Sequence, residues 1–160
     1  MTIEVRRAVQ ADARAIAEVH VRGWQEAYAH LAPAENLARL SVAQRELRWS
    51  EIVQLEDASI WVALDDGRVI GFAGSSPSRD DDAPRGLELQ SIYVLASHYG
   101  TGAGQALLEA ALGDAPAFLW VADDNPRARA FYARNGLFPD GVTKVGPVAG
   151  TEILEARLVR

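Results

Sequence analysis

Apolar and polar residues follow one strand pattern and then helical patterns over the first third of the chain. Residues 3–9 alternate apolar and charged side chains, and this period of two predicts a half-buried strand. Over residues 12–28 the apolar positions recur at spacings of three and four, which predicts a helix with one apolar face. A short helical piece follows Pro33, and the Ser-x-x-Gln capping box that starts at Ser41 predicts a further helix to about residue 55.

Strand patterns dominate the middle of the chain. Residues 59–64 and 69–75 are two apolar runs joined by Asp65-Asp66-Gly67, a turn signal that predicts a β-hairpin. A polar stretch with two prolines follows, and we expect it to be a loop. Residues 87–94 then predict another strand.

Helices and strands alternate in the last part of the chain. Residues 105–112 predict a helix directly after a cluster of glycines, and residues 117–121 predict a strand. Residues 125–136 predict a helix, because Asn-Pro is a preferred helix start and Gly a preferred helix end. Two final strands are predicted near residues 142–145 and 153–159.

Length and composition then limit the class of protein. A chain of 160 residues with 49% apolar residues is long enough for one ordinary core, so we expect a single mixed α+β domain over residues 1–160. The net charge of −6 argues against a strongly basic nucleic-acid binder and slightly favours amine partners. The absence of cysteine excludes disulfides and thiolate metal sites.

Neither a targeting segment nor a metal site is expected. The N-terminal residues lack the basic-then-apolar pattern of a signal peptide, and no apolar run reaches the ~20 residues of a membrane span, so we expect a cytoplasmic protein without a membrane partner. Three adjacent carboxylates at Asp80-Asp81-Asp82 could bind a metal, but like charges in a loop flanked by prolines are usually solvated. We therefore predict no metal.

The glycine cluster carries the clearest chemical signal. Gly100, Gly102 and Gly104 lie between a predicted strand and a predicted helix, where backbone N–H groups and the helix dipole suit a phosphate or pyrophosphate. The dinucleotide fingerprint would need glycine where the chain has Gln105, and the P-loop's Gly-Lys-Ser/Thr is absent. His98 precedes the loop and could contact a phosphate, but a lone histidine beside a loop more often faces solvent, which is the expectation here.

Together, two motifs resemble the GNAT superfamily of N-acetyltransferases, which use acetyl-CoA. The loop Tyr99-Gly100-Thr101-Gly102-Ala103-Gly104 is similar to the family's Gln/Arg-x-x-Gly-x-Gly/Ala, and Asn125, Ala128, Phe131 and Tyr132 match its Asn-x-x-Ala-x-x-Phe-Tyr. Nearly the whole chain follows the family's order of elements. The resemblance implies a mostly antiparallel twisted sheet of about seven strands flanked by about four to five helices, an α+β fold.

The same resemblance implies where acetyl-CoA binds. Tyr99 departs from the family's Gln or Arg, which removes one side-chain contact to the pyrophosphate but keeps the backbone amides of the loop. The residues implied to contact the cofactor are Ile92, Tyr93, Val94, Tyr99, Gly100, Thr101, Gly102, Ala103, Gly104, Gln105, Asn125, Arg127, Ala128 and Phe131.

Catalytic roles also follow from the resemblance. Tyr132 resembles the tyrosine that gives a proton to the coenzyme A thiolate, since a phenol is protonated at neutral pH. Glu88 resembles the general base that deprotonates the amine directly or through water, with Glu26 and the acidic loop as weaker candidates. The backbone N–H of Val94 is expected to stabilise the oxyanion.

The resemblance also implies an acceptor pocket that includes Trp24, Tyr28, Glu88 and Gln90, although core packing remains an equal alternative for the first two. The implied reaction is direct acetyl transfer to a primary amine of a small molecule or peptide. Family members often dimerise, so the resemblance allows a homodimer. Two alternatives stay open: a non-catalytic acyl-CoA sensor or regulatory domain, which Tyr99 supports, and a nucleotide-binding domain of another kind.

Overall fold

A mostly antiparallel β-sheet forms the centre of the molecule. This computed structural model describes residues 2–160. The strands are β1 (Ile3–Arg7), β2 (Ser59–Asp65), β3 (Arg68–Pro77), β4 (Leu87–Val94), β5 (Phe118–Ala122), β6 (Phe138–Val148) and β7 (Thr151–Val159). Among the described residues they form a seven-stranded sheet in the order β1-β2-β3-β4-β5-β7-β6, and all neighbours are antiparallel except β4 and β5.

Helices cover the sheet, and their starts follow the predicted caps. Residues 2–160 contain five α-helices: α1 (Ala13–Ala27), α2 (Ala34–Ala38), α3 (Val42–Ile52), α4 (Ala103–Leu112) and α5 (Pro126–Ala133). The Ser41 hydroxyl accepts the Gln44 amide at 3.2 Å, and the Asn125 side-chain oxygen accepts the Ala128 amide at 3.2 Å. No helix within residues 2–160 combines the length and apolarity needed to cross a membrane.

The two faces of the sheet bury different helices. On one face, the Phe72 ring of β3 packs against His20 of α1 and Trp49 of α3, with ring centroids 5.5 and 5.0 Å apart. On the other face, the buried Ser75 hydroxyl donates to the carbonyl of Ala111 in α4 at 2.7 Å. The expected α+β fold, with a sheet between two layers of helices, is confirmed.

The sheet opens between its two parallel strands. Within the described residues, β4 and β5 pair only at Glu88 and Phe118. Pairing of β4 with β3 skips Gln90, because Gly74 pairs with Ser91 while Ser75 pairs with Leu89. This bulge bends β4, so the rest of the strand keeps β3 on one edge and leaves the other edge without a strand partner.

Several predicted boundaries differ from the structure, most of all in the last two strands. Strand β6 runs over Phe138–Val148 and β7 begins at Thr151, so both are longer than expected. Most of β6 is exposed and lacks buried alternate positions, so apolar periodicity could not reveal a strand that is defined by its pairing with β7. Helix α4 begins at Ala103, since Gly102 with φ +89° ends the preceding turn.

A half-buried histidine, His20, connects α1 and α3. The Trp49 indole donates to Nδ1 of His20 at 3.1 Å, which requires an unprotonated nitrogen there. The Arg45 guanidinium lies 3.2 Å from the same ring. Burial, with a smaller contribution from the Arg45 charge, lowers the pKa of His20 from 6.5 to about 3.

We predict that His20 makes the fold sensitive to acid. In the unfolded state the imidazole has its ordinary pKa of 6.5. Below pH 6.5 the unfolded state therefore binds a proton that the folded state does not bind until about pH 3. The free energy of unfolding should fall by up to about 1.4 kcal/mol per pH unit down to about pH 3 through this group alone. Urea unfolding of the wild type and His20→Gln at several pH values measures the difference in slope.

The exposed His30 provides the control, because its side chain is 51% exposed. His30→Gln should keep the wild-type slope between pH 6.5 and 4.5, whereas His20→Gln should flatten it. Equal slopes for wild type and His20→Gln contradict the prediction.

Candidate active site

A cleft of about 770 Å³ occupies the opening between β4 and β5. The end of α1, the glycine-rich loop and the start of α5 complete its walls. Gln90 and Tyr28, two of the predicted acceptor residues, lie on its surface. The structure also places these predicted cofactor residues on its wall: Ile92, Tyr93, Val94, Tyr99, Gly100, Gly102, Ala103, Gly104, Gln105, Asn125, Arg127, Ala128 and Phe131.

Backbone geometry of the glycine-rich loop is suited to an anion. Gly100 and Gly102 have φ of +76° and +89°, a region in which a side chain is strained. Gly102 caps α4, so the first amides of that helix lack intrahelical acceptors and lie beside the cleft. Thr101 is not on the cleft wall, because its hydroxyl donates to the carbonyl of His98 at 2.7 Å. The loop therefore supports phosphate binding through its backbone.

Arg127 places a positive charge beside Tyr99, the position at which this chain lacks the Gln or Arg of the family motif. The guanidinium carbon of Arg127 is 3.3 Å from the centroid of the Tyr99 ring, and both side chains line the cleft. Within residues 2–160, Arg127 has no carboxylate partner within 4 Å. Stacking on an aromatic face orients the guanidinium without neutralising its charge. The position of Tyr99 thus keeps a positive charge beside the glycine loop.

Tyr132 also lines the cleft. The residue is buried at 8% exposure on α5, and its ring stacks on Phe131 with centroids 5.4 Å apart. Burial raises the pKa of the Tyr132 phenol well above its ordinary value, with a smaller contribution from Tyr28. The phenol is therefore a proton donor throughout the neutral range.

The rings of Trp24 and Tyr28 are in contact, with centroids 5.6 Å apart, but only Tyr28 lines the cleft. The hydroxyls of Tyr28 and Tyr93 lie 3.3 Å apart, and burial raises the pKa of both phenols. Trp24 does not line the cleft: it packs against the small cluster of Ala122, Val148 and Ile153. The Trp24 indole nitrogen is buried without a hydrogen-bond partner among the described residues.

Glu88 lies at the closed end of the opening, where β4 still pairs with β5. It is not on the cleft wall, and its carboxylate accepts the Ser78 hydroxyl at 3.1 Å. Burial raises the pKa of Glu88, while the hydrogen bond from Ser78 opposes the shift. A proton from an amine in the cleft would reach this carboxylate through water.

A second carboxylate, Glu155, was not singled out by the sequence. It lies on β7, paired in register with Ala122 of β5 and Lys144 of β6. Its side chain is 20% exposed, and burial raises its pKa, which the charge of Lys144 opposes. The Glu155 charge also contributes to the raised pKa of Tyr28, although Glu155 itself does not line the cleft. No motif marks this residue, since only the pairing of β5 and β7 brings it here.

The expectation that His98 faces solvent is wrong. Its side chain is 14% exposed, and Nε2 lies 2.9 Å from a carboxylate oxygen of Asp65. His98 lines the cleft just before the glycine loop. The turn of residues 65–67 that ends β2 brings Asp65 to this loop, a contact that sequence spacing cannot indicate.

The acidic loop is engaged in contacts with β5 and β7. The Trp120 indole donates to Asp80 at 3.0 Å, and Arg157 lies 3.6 Å from Asp82. Among residues 2–160 there is no group of three or more histidine or carboxylate side chains arranged to hold a metal ion.

Comparison with known proteins agrees with this geometry. The profile of the acetyltransferase (GNAT) family matches residues 15–137. A Bacillus subtilis (strain 168) protein, the uncharacterized N-acetyltransferase YuaI, is 33% identical over 131 residues, which cover 78% of this chain and 74% of the relative. The chain therefore belongs to the GNAT family and is an acyltransferase enzyme.

Solved structures share the fold. An N-acetyltransferase from Staphylococcus aureus Mu50 superimposes with a TM-score of 0.75 at 21% identity, covering 100% of this chain and 98% of that one. An acetyltransferase from Salmonella typhimurium, solved with its cofactor acetyl-CoA, superimposes with a TM-score of 0.73 at 21% identity, covering 100% and 94%.

Proposed function

We propose that this enzyme transfers the acetyl group of acetyl-CoA directly to a primary amine of a small molecule or peptide. The observation that carries the proposal is the cleft between β4 and β5, which is lined both by a glycine-rich loop suited to an anion and by the buried Tyr132. The likeness to a structure solved with acetyl-CoA supports the choice of cofactor.

The edge of β4 that faces the cleft is the proposed binding site of the pantetheine arm and the thioester. The Leu95 amide donates to Ile70 of β3 at 2.9 Å. Because amide directions alternate along a strand, the N–H groups of Val94 and Ile92 point to the opposite edge, toward the cleft. Val94 is accordingly proposed to donate to the oxyanion that forms when the amine attacks the thioester carbonyl.

The proton transfers are assigned to groups whose pKa values are raised by burial. The ammonium loses a proton to a carboxylate, the nitrogen bonds to the carbonyl carbon, the C–S bond breaks, and the nitrogen loses its second proton as the amide forms. Tyr132 gives its proton to the departing thiolate, since its raised pKa keeps it protonated. Glu88 is the proposed base through water, and Glu155 is a second candidate because it is also half-buried with a raised pKa.

The first test removes the proposed acid. Tyr132→Phe deletes one hydroxyl from a buried ring, so we expect roughly 10- to 10⁴-fold slower coenzyme A release with a panel of primary amines, the range of general acid–base steps. Calorimetric titration should show that acetyl-CoA still binds the variant. A full rate across a pH series contradicts the role of Tyr132.

A matched pair of variants tests the base. Glu88→Gln should lower kcat/KM by roughly 10²- to 10⁴-fold and remove the loss of activity at low pH, which arises because the carboxylate must be ionised. Glu155→Gln has the same change of charge and should retain the low-pH limb of the profile. The reverse pattern assigns the base to Glu155 and contradicts the role of Glu88.

Tyr99 and Arg127 are predicted to act as one unit in cofactor binding. Arg127→Gln should weaken acetyl-CoA binding roughly 10-fold or more, because a charge-assisted contact to phosphate contributes about 1.5–3 kcal/mol. Tyr99→Leu should weaken it only about 2- to 5-fold, the size of an exposed cation–π contact. Calorimetry of both single variants and the double variant measures the coupling.

Tyr99→Phe is the control for this pair, since it keeps the aromatic face under Arg127. It should bind acetyl-CoA like the wild type. If Tyr99→Leu weakens binding equally with and without Arg127, the two residues act independently and the proposed unit is wrong.

A further inference from the structure

Lys144 is the only lysine in the chain. It lies on β6, opposite Glu155 of β7, and its side chain is 44% exposed. The ammonium nitrogen is 4.2 Å from the centroid of the Trp120 ring, and Trp120 lines the cleft. The primary amine of Lys144 thus contacts Trp120, a residue of the cleft wall.

The groups around this amine are those that recognise an alkylammonium ion. Glu155 Oε2 is 4.0 Å from the nitrogen, and the face of Trp120 provides a cation–π contact. Trp120 is held in place because its indole donates to Asp80 at 3.0 Å. The charge of Lys144 also opposes the effect of burial on the pKa of Glu88 and of Glu155.

We propose that Lys144 is an internal acetyl acceptor, so that the enzyme acetylates itself at this residue. The inference rests on the proposed use of acetyl-CoA. Glu155 takes a proton from the ammonium, and the freed nitrogen lone pair attacks the thioester carbonyl. The new C–N bond forms as the C–S bond breaks, and coenzyme A leaves as the thiol after protonation. The products are acetyl-lysine, coenzyme A and one proton.

The side chain has the freedom that this step requires. Lysine carries its nitrogen on a flexible four-carbon stem, and the half-exposed Lys144 is not enclosed by its neighbours. Acetylation removes the charge, so both the contact with Trp120 and the pairing with Glu155 are lost. Modification at this position would leave Glu155 half-buried without its cation.

The test is intact-mass spectrometry of the full chain after incubation with acetyl-CoA and no added amine. We expect a mass increase of one acetyl group, which peptide mapping places on Lys144. Lys144→Arg keeps the positive charge but is not acetylated, so it should show no increase. Glu155→Gln should slow the reaction roughly 10²-fold or more if the carboxylate takes the proton.

Two controls separate self-acetylation from other routes. Gly102→Asp places a carboxylate in the anion-binding loop, and its slow labelling measures chemical acetylation by free acetyl-CoA. The rate per molecule should not change with protein concentration, because donor and acceptor lie in one chain. Equal labelling of Gly102→Asp and wild type, labelling only at the N-terminal amine, or a rate proportional to protein concentration overturns the inference.

The same samples distinguish this inference from the proposed function. Coenzyme A release with an external amine, together with unmodified Lys144, overturns self-acetylation and leaves the proposed function standing. Absence of acetyl-CoA binding in calorimetry overturns the proposed function itself.

Discussion

The end of backbone pairing between β4 and β5 is the constraint on which the site depends. A buried amide without a partner costs about 1–3 kcal/mol, so a sheet that opens must satisfy its free edge in another way. Here the opening follows directly after the pair Glu88–Phe118, and the bulge at Gln90 turns β4 away from β5. The amides of Ile92 and Val94 then face the cleft and are available to an extended ligand. A ligand that pairs with these amides would recover part of the stability that the sheet loses at its opening.

Burial of the cleft walls also decides the protonation of its groups. Tyr28, Tyr93 and Tyr132 all have raised pKa values because of burial, so each stays a neutral phenol at neutral pH. Burial raises the pKa of Glu88 and Glu155 as well, which makes a carboxylate a better proton acceptor once it is ionised. The same apolar surroundings therefore keep the phenols protonated and raise the proton affinity of the two carboxylates.

Local signals predicted those parts of the fold that local interactions determine. The caps at Ser41 and Asn125 and the glycine loop are each fixed by residues within a few positions, and the structure shows them where the sequence placed them. Contacts between distant segments could not be predicted in this way. The position of Glu155 depends on the pairing of β7 with β5, and the partner of His98 is supplied by the end of β2.

Tyr99 shows why a departure from a motif must be judged in three dimensions. A motif describes which residue stands at one position, whereas a bound phosphate responds to the charge near it. The missing Gln or Arg side chain suggested a weakened site and supported the hypothesis of a binding domain without activity. In the structure, the aromatic ring at this position carries the guanidinium of Arg127, which comes from the first turn of α5. Arg127 thus supplies the positive charge from a different position in the sequence. Tyr99 is therefore no longer an argument for a loss of cofactor binding or of catalysis.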